Sequence, residues 1–362
     1  MINLGVVFGG KSVEHDISVL SYFQALNSLD LKKYKIIPIY FDINNNPTTS
    51  NEYLDFSSFK NPKRNKIYSV GFKNINNKCY IQIKETLKVK KKVIDCFLVI
   101  VHGKDLEDGT ISSLFKILNV PYTSLDNNLS SVLHDKYYLK LLLNDIGINT
   151  VPGYVINNRK KVDTLNKEKI IKCTKLGSSI GVYSVKDISD LNEKMNICLN
   201  YDEDILVEDK IENFIEYNQA VYIKDDNVLL SAIEEVKTNN DIYSFDSKYI
   251  NNKTVRIINE EINKDLEKEI INTTTKIAKH FNLLSVVRID YIYDLDSLKL
   301  YVNEINVIPG SLSYYLFEHN GIYFSELLDD IIDNAFKKHY FSNQKINVFK
   351  SDVLYKISNK LK

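Results

Sequence analysis

The sequence predicts an α/β chain with a parallel sheet in its N-terminal part and an α+β arrangement in its C-terminal part. Three observations predict it. Residues 3–8 (NLGVVF) are apolar and β-prone and end at Gly9-Gly10, a helical pattern follows, and a second strand pattern runs over 35–41 (KIIPIYF). CFLVIVHG at 96–103 is a continuous apolar run ending at glycine, as a strand buried on both faces requires. Near the C-terminus, SVVRIDYIYD and LKLYVNEIN alternate like two antiparallel strands.

At 362 residues the chain exceeds what one simple core organises, so two or three domains are expected. We divide it into 1–134, an N-terminal α/β domain; 135–236, a central unit; 237–340, a third unit; and 341–362, a polar tail. In the first, a helix is expected from Ser18 to about Leu29. Residues 42–65, rich in Asn, Ser and Lys, read as an exposed excursion, and a hairpin is expected across 66–84. The basic run LKVKKKV near 87–93 reads as a solvated face. The second unit opens with a helix, KYYLKLLLNDIGI, broken at Val151-Pro152. EKIIKC (168–173), DILVE (204–208), EYNQAVYIK (216–224) and NVLLSAIEEV (227–236) read as its strands. A polar stretch at 237–254 admits two readings, a mobile lid ending at Lys248-Tyr249 or a plain surface loop. Helices at about 263–281 and 323–337 bracket the last strand pair.

Lys+Arg and Asp+Glu are both 47, so no net charge directs the protein to nucleic acid or an anionic membrane. No apolar run is long enough to span a bilayer, and Met1-Ile2-Asn3-Leu4 lacks the regions of a signal peptide, so a cytoplasmic protein is expected. Cys79, Cys96, Cys173 and Cys198 lack metal-ligand spacing and read as free thiols.

Four clusters can carry chemistry. In Gly9-Gly10-Lys11-Ser12-Val13-Glu14, the glycines permit close approach of a ligand and the following helix start favours an anion, while Glu14 can hold an ammonium group. The alternative is a βα turn with a capping serine. His102-Gly103-Lys104-Asp105-Leu106-Glu107-Asp108-Gly109 follows a buried strand, where α/β sheets place ligands; His102 there faces substrate or simply ends the strand. Lys172 ends a strand before Gly177-Ser178-Ser179-Ile180-Gly181, whose N–H groups and hydroxyls suit a polyphosphate, though many hairpins look similar. The fourth cluster is chemically the strongest. Alternation puts Arg288 and Asp290 on one face, and Glu304 and Asn306 on one face. If the strands pair with those faces coinciding, Asp, Glu and Asn offer hard oxygens suited to Mg²⁺ and nucleotide phosphates, and Arg288 steadies a phosphoryl group. In the turn Pro309-Gly310-Ser311, the N–H groups of Gly310 and Ser311 can face an oxyanion. The alternative is a salt-bridged, half-exposed hairpin. Glu208, at a strand end, suits an adenine edge or is a surface carboxylate.

Together these clusters resemble one family, the D-alanine–D-alanine ligases of the ATP-grasp superfamily. GGKSVEHDIS, HGKDLEDGT, NVPYTSL, HDKYYLK, KCTKLGSSIGV, RIDY and VNEINVIPGSLS match its segments in order over roughly 2–338. The resemblance implies an ATP-grasp fold following an N-terminal substrate-binding domain, with 135–236 and 237–340 as the two grasp subdomains. It implies that Glu14 binds the first substrate's amino group and, with Ser178 and Tyr249, closes the lid. Lys136, Lys172 and Ser179 would meet ATP phosphates, Lys248 the γ-phosphate, Glu208 adenine and Glu216 the ribose. Asp290, Glu304 and Asn306 would hold two Mg²⁺, with Mn²⁺ as a substitute. Arg288 and the Gly310 N–H would stabilise phosphoryl transfer and the tetrahedral intermediate; His102, Ser311 and Ser313 would contact substrate. A cytoplasmic homodimer joining two D-alanines through an acyl phosphate, for peptidoglycan precursors, is implied.

The sequence departs from the family pattern in places. Leu106 stands for a usual Gly, Cys173 for a usual Pro, and Ser112-Ser113 for a common Gln-Gly pair. PGSLSYYLFE differs from the P-G-x-T-x-x-S form of many members, and 212–217 carries one extra residue. The first four departures spare the ATP and metal positions and leave D-serine and D-lactate as alternative acceptors, whereas the extra residue falls beside Glu216. A non-catalytic ATP-binding homologue is the reading from another class; intact Glu14, Arg288, Asp290, Glu304 and Asn306 argue against it.

Overall fold

A computed structural model describes residues 1–85, 88–157, 164–237, 255–258, 262–346, 351–353 and 357. Lys248 and Tyr249, with most of the expected lid, lie outside the described residues.

The chain begins as expected, with β1 (Ile2–Gly9), α1 (His15–Ser28) and β2 (Tyr34–Phe41). The stretch read as an exposed excursion is more ordered: β3 (Pro47–Thr49) is followed by a short helix, α2 (Phe56–Lys60). Its aromatic residues are the physical reason. Tyr53 is buried and packs with Phe59, Tyr40 and Phe8. Next come the hairpin β4 (Tyr68–Ile75) and β5 (Lys78–Lys84), then β6 (Val89–Ile94) and β7 (Cys96–Val101). The lysines of β6 are exposed on an edge strand, which keeps the edge soluble and unpaired. The sheet order is β6-β5-β4-β3-β2-β1-β7. Only β2, β1 and β7 are parallel, and the other pairings are antiparallel. The parallel-sheet expectation therefore holds for these three strands, of which β1 and β7 end at the glycine turns.

Helices α3 (Thr110–Ile117), α4 (Asn127–His134) and α5 (Lys136–Asp145) lead into a four-stranded antiparallel sheet. It comprises β8 (Gly153–Asn157), β9 (Lys169–Cys173), β10 (Val182–Val185) and β11 (Asp204–Asp209), in the order β10-β9-β11-β8. Helix α6 (Ile188–Cys198) covers it, and Ile156, Ile171, Leu191 and Ile205 form a small core of their own. The last sheet, β14-β13-β12-β15-β16, is built from β12 (Phe214–Lys224), β13 (Asn227–Lys237), β14 (Val255–Ile258), β15 (Val287–Asp294) and β16 (Lys299–Asn306). Helices α7 (Lys264–Phe281), α8 (Tyr314–His319) and α9 (Phe324–Asn343) pack with it. Its core is continuous with that of the N-terminal sheet, so one large core supports the first and last sheets and a separate one supports the middle sheet.

Candidate active site

The C-terminal sheet sets the first part of the site by register. On β15 and β16, Asp290 lies opposite Glu304 and Arg288 opposite Asn306, so the two polar faces coincide. Arg288 donates Nε to Asp290 Oδ1 at 2.6 Å and Nη2 to Oδ2 at 2.7 Å, and Asn306 Nδ2 donates to the same Oδ2 at 3.0 Å. Burial alone would weaken the arginine's hold on its proton, but the facing Asp290 outweighs it and the guanidinium stays charged. Among the described residues no cluster of three His, Cys, Asp or Glu side chains marks a metal site. Two carboxylates and an amide nevertheless suit Mg²⁺, which takes few protein ligands and completes its shell with water and phosphate oxygens.

A row of lysines faces these acids. Lys136 opens α5, whose first turn is capped by Asp135 through the Tyr137 and Tyr138 N–H groups. Its Nζ lies 3.1 Å from Glu304 Oε2 and donates to Leu176 O at 2.6 Å. Burial would discharge Lys136, but Glu304, helped by Glu208 and Glu14, more than offsets that cost and raises its pKa. Lys172, at the end of β9, sits 2.6 Å from Glu208 Oε2 and donates to Asn303 Oδ1 at 2.8 Å. Lys140 pairs with the other Glu208 oxygen. Glu208 is 1% exposed, and its flanking lysines outweigh burial to hold its carboxyl below the usual range. Each Glu208 oxygen is thus ion-paired to a lysine.

These groups line a cleft with about 970 Å³ of empty volume, open to solvent. Val151, Ile170, Phe214 and Ile292 give it apolar walls, while Ser179, Glu216, Asp290 and Glu304 reach it from the other sides. A flat base between apolar walls beside a cationic end is what a nucleotide requires. Ser178 and Ser179 are left-handed (φ 55° and 57°), the kind of turn in which successive backbone N–H groups can cradle an anion.

The N-terminal domain closes the other side. The Ser178 hydroxyl donates to Glu14, joining the serine loop to the first turn of α1. A Cβ on Gly177 would stand 2.9 Å from the Glu14 carboxylate and one on Gly103 2.0 Å from Ser12 Oγ; Gly103 is also left-handed at φ 84°, which favours glycine there. His102 is buried, with Nδ1 2.8 Å from Ile308 O and Nε2 3.0 Å from Ser21 Oγ. The carbonyl can only accept, so Nδ1 carries a proton. Burial lowers the ring's pKa and keeps it neutral. Glu107 accepts from Gly103 N at 2.6 Å and Ile308 N at 3.1 Å, tying the β7 turn to the chain entering Pro309-Gly310. Ser311 N donates to Ser21 Oγ at 2.9 Å, and the Ser311 hydroxyl donates to Gln24. Ser311, Leu312 and Ser313 are all left-handed; Ser313 is fully buried and its hydroxyl has no partner among the described residues.

The structure thus brings Lys136, Lys172, Ser179, Glu208, Glu216, Asp290 and Glu304 to one cleft, Asn306 and Arg288 against Asp290, and Glu14, Ser178, His102, Gly310 and Ser311 to its N-terminal side. Lys140, Asn303, Ser21, Gln24 and the double role of Glu107 were missed. Lys140 follows Lys136 by one helical turn, and Ser18 and Ser21 are polar on the buried face of α1; both are readable signals. Three of the sequence departures, Leu106, Cys173 and Ser112, are packing choices. A Cβ on Gly10 would stand 2.4 Å from the Leu106 side chain and one on Gly181 2.7 Å from Cys173 Sγ, so each unusual side chain fills the space over a site glycine. Ser112 bonds Ser124 in the interior at 2.8 Å. All four cysteines are buried free thiols.

Comparison with known proteins identifies the family. Models of the D-ala D-ala ligase N-terminus and C-terminus match residues 3–124 and 142–333. A D-alanine–D-alanine ligase of Thermosipho africanus is 36% identical over 365 residues, covering 97% of each chain. The solved D-alanine–D-alanine ligase of Coxiella burnetii superposes with a TM-score of 0.80 at 23% identity, over 95% of this chain and 98% of that one. A D-Ala:D-Ser ligase of Enterococcus faecalis gives 0.77 at 23% identity, over 92% and 99%, so the fold does not by itself choose an acceptor. The chain is a ligase with the ATP-grasp architecture and belongs to the D-alanine–D-alanine ligase family.

Proposed function

We propose that this protein joins two D-alanines into D-alanyl-D-alanine, spending one ATP through an acyl phosphate, for peptidoglycan precursor synthesis. The observation that carries the reading is the Asp290–Glu304 pair facing Lys136 and Lys172 across one cleft, with the Glu14–Ser178 bond closing its N-terminal side. Glu14 holds the ammonium group of the first D-alanine. The freed carboxylate then attacks the γ-phosphate, and ADP leaves. The amine of the second D-alanine attacks the acyl carbonyl, loses a proton and expels phosphate. Lys136, Lys172 and the Ser178–Ser179 backbone hold the phosphates. Arg288 and the Gly310 N–H meet the oxygens on which charge develops, where fixed donors contribute most. Asp290, Glu304 and Asn306 would hold two Mg²⁺, replaceable by Mn²⁺; the bound metal neutralises phosphate charge. No nucleophilic side chain is required, because ATP and the amino acids supply every reacting group and the site has only to position them. Within this reading Tyr249 and Lys248 belong to the closing lid, Glu216 meets the ribose and Ser313 lies behind the acceptor turn. The unit is a cytoplasmic homodimer, with residues 1–134 as its substrate-binding domain.

The test is ATP-dependent phosphate release with Mg²⁺, using D-alanine alone and D-alanine paired with D-serine or D-lactate, with product masses recorded. Release with D-alanine alone, together with a D-alanyl-D-alanine mass, is expected. Release only with a second partner would transfer the reading to another acceptor, and no release with any pairing would remove it.

A further inference from the structure

The β15–β16 ladder contains one irregularity. Asp290 faces Glu304, but the next residue, Tyr291, faces Val302, so Asn303 is an extra residue with no partner in the ladder. Such a bulge rotates one side chain out of strict alternation. Burial along β16 records it: Leu300, Val302 and Ile305 are buried, whereas the neighbours Asn303 and Glu304 are both half-buried. Both line the nucleotide cleft, which a regular strand would not allow for adjacent residues.

Each of the two holds a different lysine. Glu304 Oε2 lies 3.1 Å from Lys136 Nζ, and Asn303 Oδ1 accepts from Lys172 Nζ at 2.8 Å. The lysines come from unlinked elements, the start of α5 and the end of β9, and the bulge is where their ammonium groups are referenced to one strand. The partner chemistry differs. Lys172 already faces the carboxylate of Glu208 at 2.6 Å, so a second carboxylate on it would cancel its charge toward an anion. An amide oxygen fixes the ammonium without that cancellation.

We infer that Asn303 is a positioning residue for nucleotide triphosphate: held out of the ladder by the bulge, it aims Lys172 at the phosphates while leaving its charge available. This inference rests on the reading of Lys172 as a phosphate ligand. It concerns the phosphate end of the nucleotide alone, so its signature is a split between ATP and adenosine that general damage to the cleft would not produce.

The experiment measures dissociation constants of Mg·ATP by calorimetry and of adenosine by competition, for the wild type and for Asn303→Ala, Asn303→Asp and Lys172→Met. Asn303→Ala should weaken ATP about tenfold, the scale of one hydrogen bond to a charged group, and leave adenosine within about twofold. Asn303→Asp keeps an oxygen on Lys172 but adds negative charge, so it should weaken ATP further than alanine does, again sparing adenosine. Unchanged ATP binding in Asn303→Ala, or an equal loss of ATP and adenosine, overturns the inference. If Lys172→Met weakens ATP while both Asn303 variants are silent, the inference fails and the reading of Lys172 stands. If Lys172→Met leaves ATP binding intact, the reading itself fails and the inference falls with it.

Discussion

At the nucleotide end of the cleft, the buried charges are matched by charges. Lys136 faces Glu304, and Lys140 and Lys172 share Glu208. At the Pro309–Ser313 turn, the contacts are mostly neutral hydrogen bonds that cross from α1 and the β7 turn to the chain after β16: Ser21 to Ser311, His102 to Ile308 O, and Glu107 to Ile308 N. The first end is built on strands and on the start of one helix, and it is complete before any anion arrives. The second is built on turns with three consecutive left-handed residues, and it exists only while the N-terminal and C-terminal sheets stay docked. Removing one partner at the nucleotide end strands a buried charge, which is costly. Removing one at the Pro309–Ser313 turn, the acceptor end in the proposed function, loosens that turn.

The hardest test of this contrast is Arg288, which stands between the two ends. Arg288→Ala should lower turnover by about 10²-fold or more, as loss of a transition-state donor does, while ATP binding is largely kept. Turnover is read by phosphate release and binding by calorimetry. Wild-type-like turnover would remove Arg288 from the chemistry and leave Asp290 as a structural partner only.

Sequence alternation alone placed Arg288, Asp290, Glu304 and Asn306 on shared faces, because a period of two is a local property and the strands are long. It could not place Asn303 through regular alternation. The clue was nonetheless present, since the buried positions Leu300, Val302 and Ile305 skip one extra residue at Asn303-Glu304. The helices α4 and α6 were not read because each buries only two residues, too few to impose a clear period. Ser21 and Gln24 acquire their roles from a turn nearly the whole chain away, which no local pattern encodes. The ordered excursion at 42–65 was hidden because Tyr53 and Phe59 are sparse within a polar composition, yet each packs into an aromatic group.

Glu304 gives a smaller and sharper effect at the nucleotide end. Glu304→Gln should raise the Mg²⁺ concentration needed for half-maximal phosphate release at least about tenfold, since partners one shell further out already cost that much at metal sites. It also deprives Lys136 of the carboxylate that keeps it charged when buried. An unchanged metal titration at fixed ATP would take Glu304 out of the ligand set and leave it as the lysine's counter-ion.

The smallest effect expected is one of pH, and it belongs to the acceptor end. Burial, with the nearby Glu14 charge adding to it, pushes the Glu107 carboxyl from 4.5 up to about 8, against the pull of its two N–H donors. A carboxyl whose folded pKa lies above its unfolded value binds its proton more tightly in the fold. Its stabilising contribution is complete below about 4.5 and is lost as pH rises through about 8. Glu208 has the opposite sign: its lowered pKa confines any loss to acid below its unfolded value, so it stays ionised through the same window. Glutamine at position 107 does not titrate. The melting temperature of the wild type, measured against Glu107→Gln from pH 5 to 8.5, should therefore fall relative to the variant as pH rises, by a few degrees in all. A difference that stays flat, or shifts in the wild type's favour as pH rises, would mean that Glu107 is ionised throughout, held by Gly103 and Ile308 as a permanent carboxylate clamp. The acceptor end would then be as charge-built as the nucleotide end, and the contrast between them would rest on the left-handed turn alone.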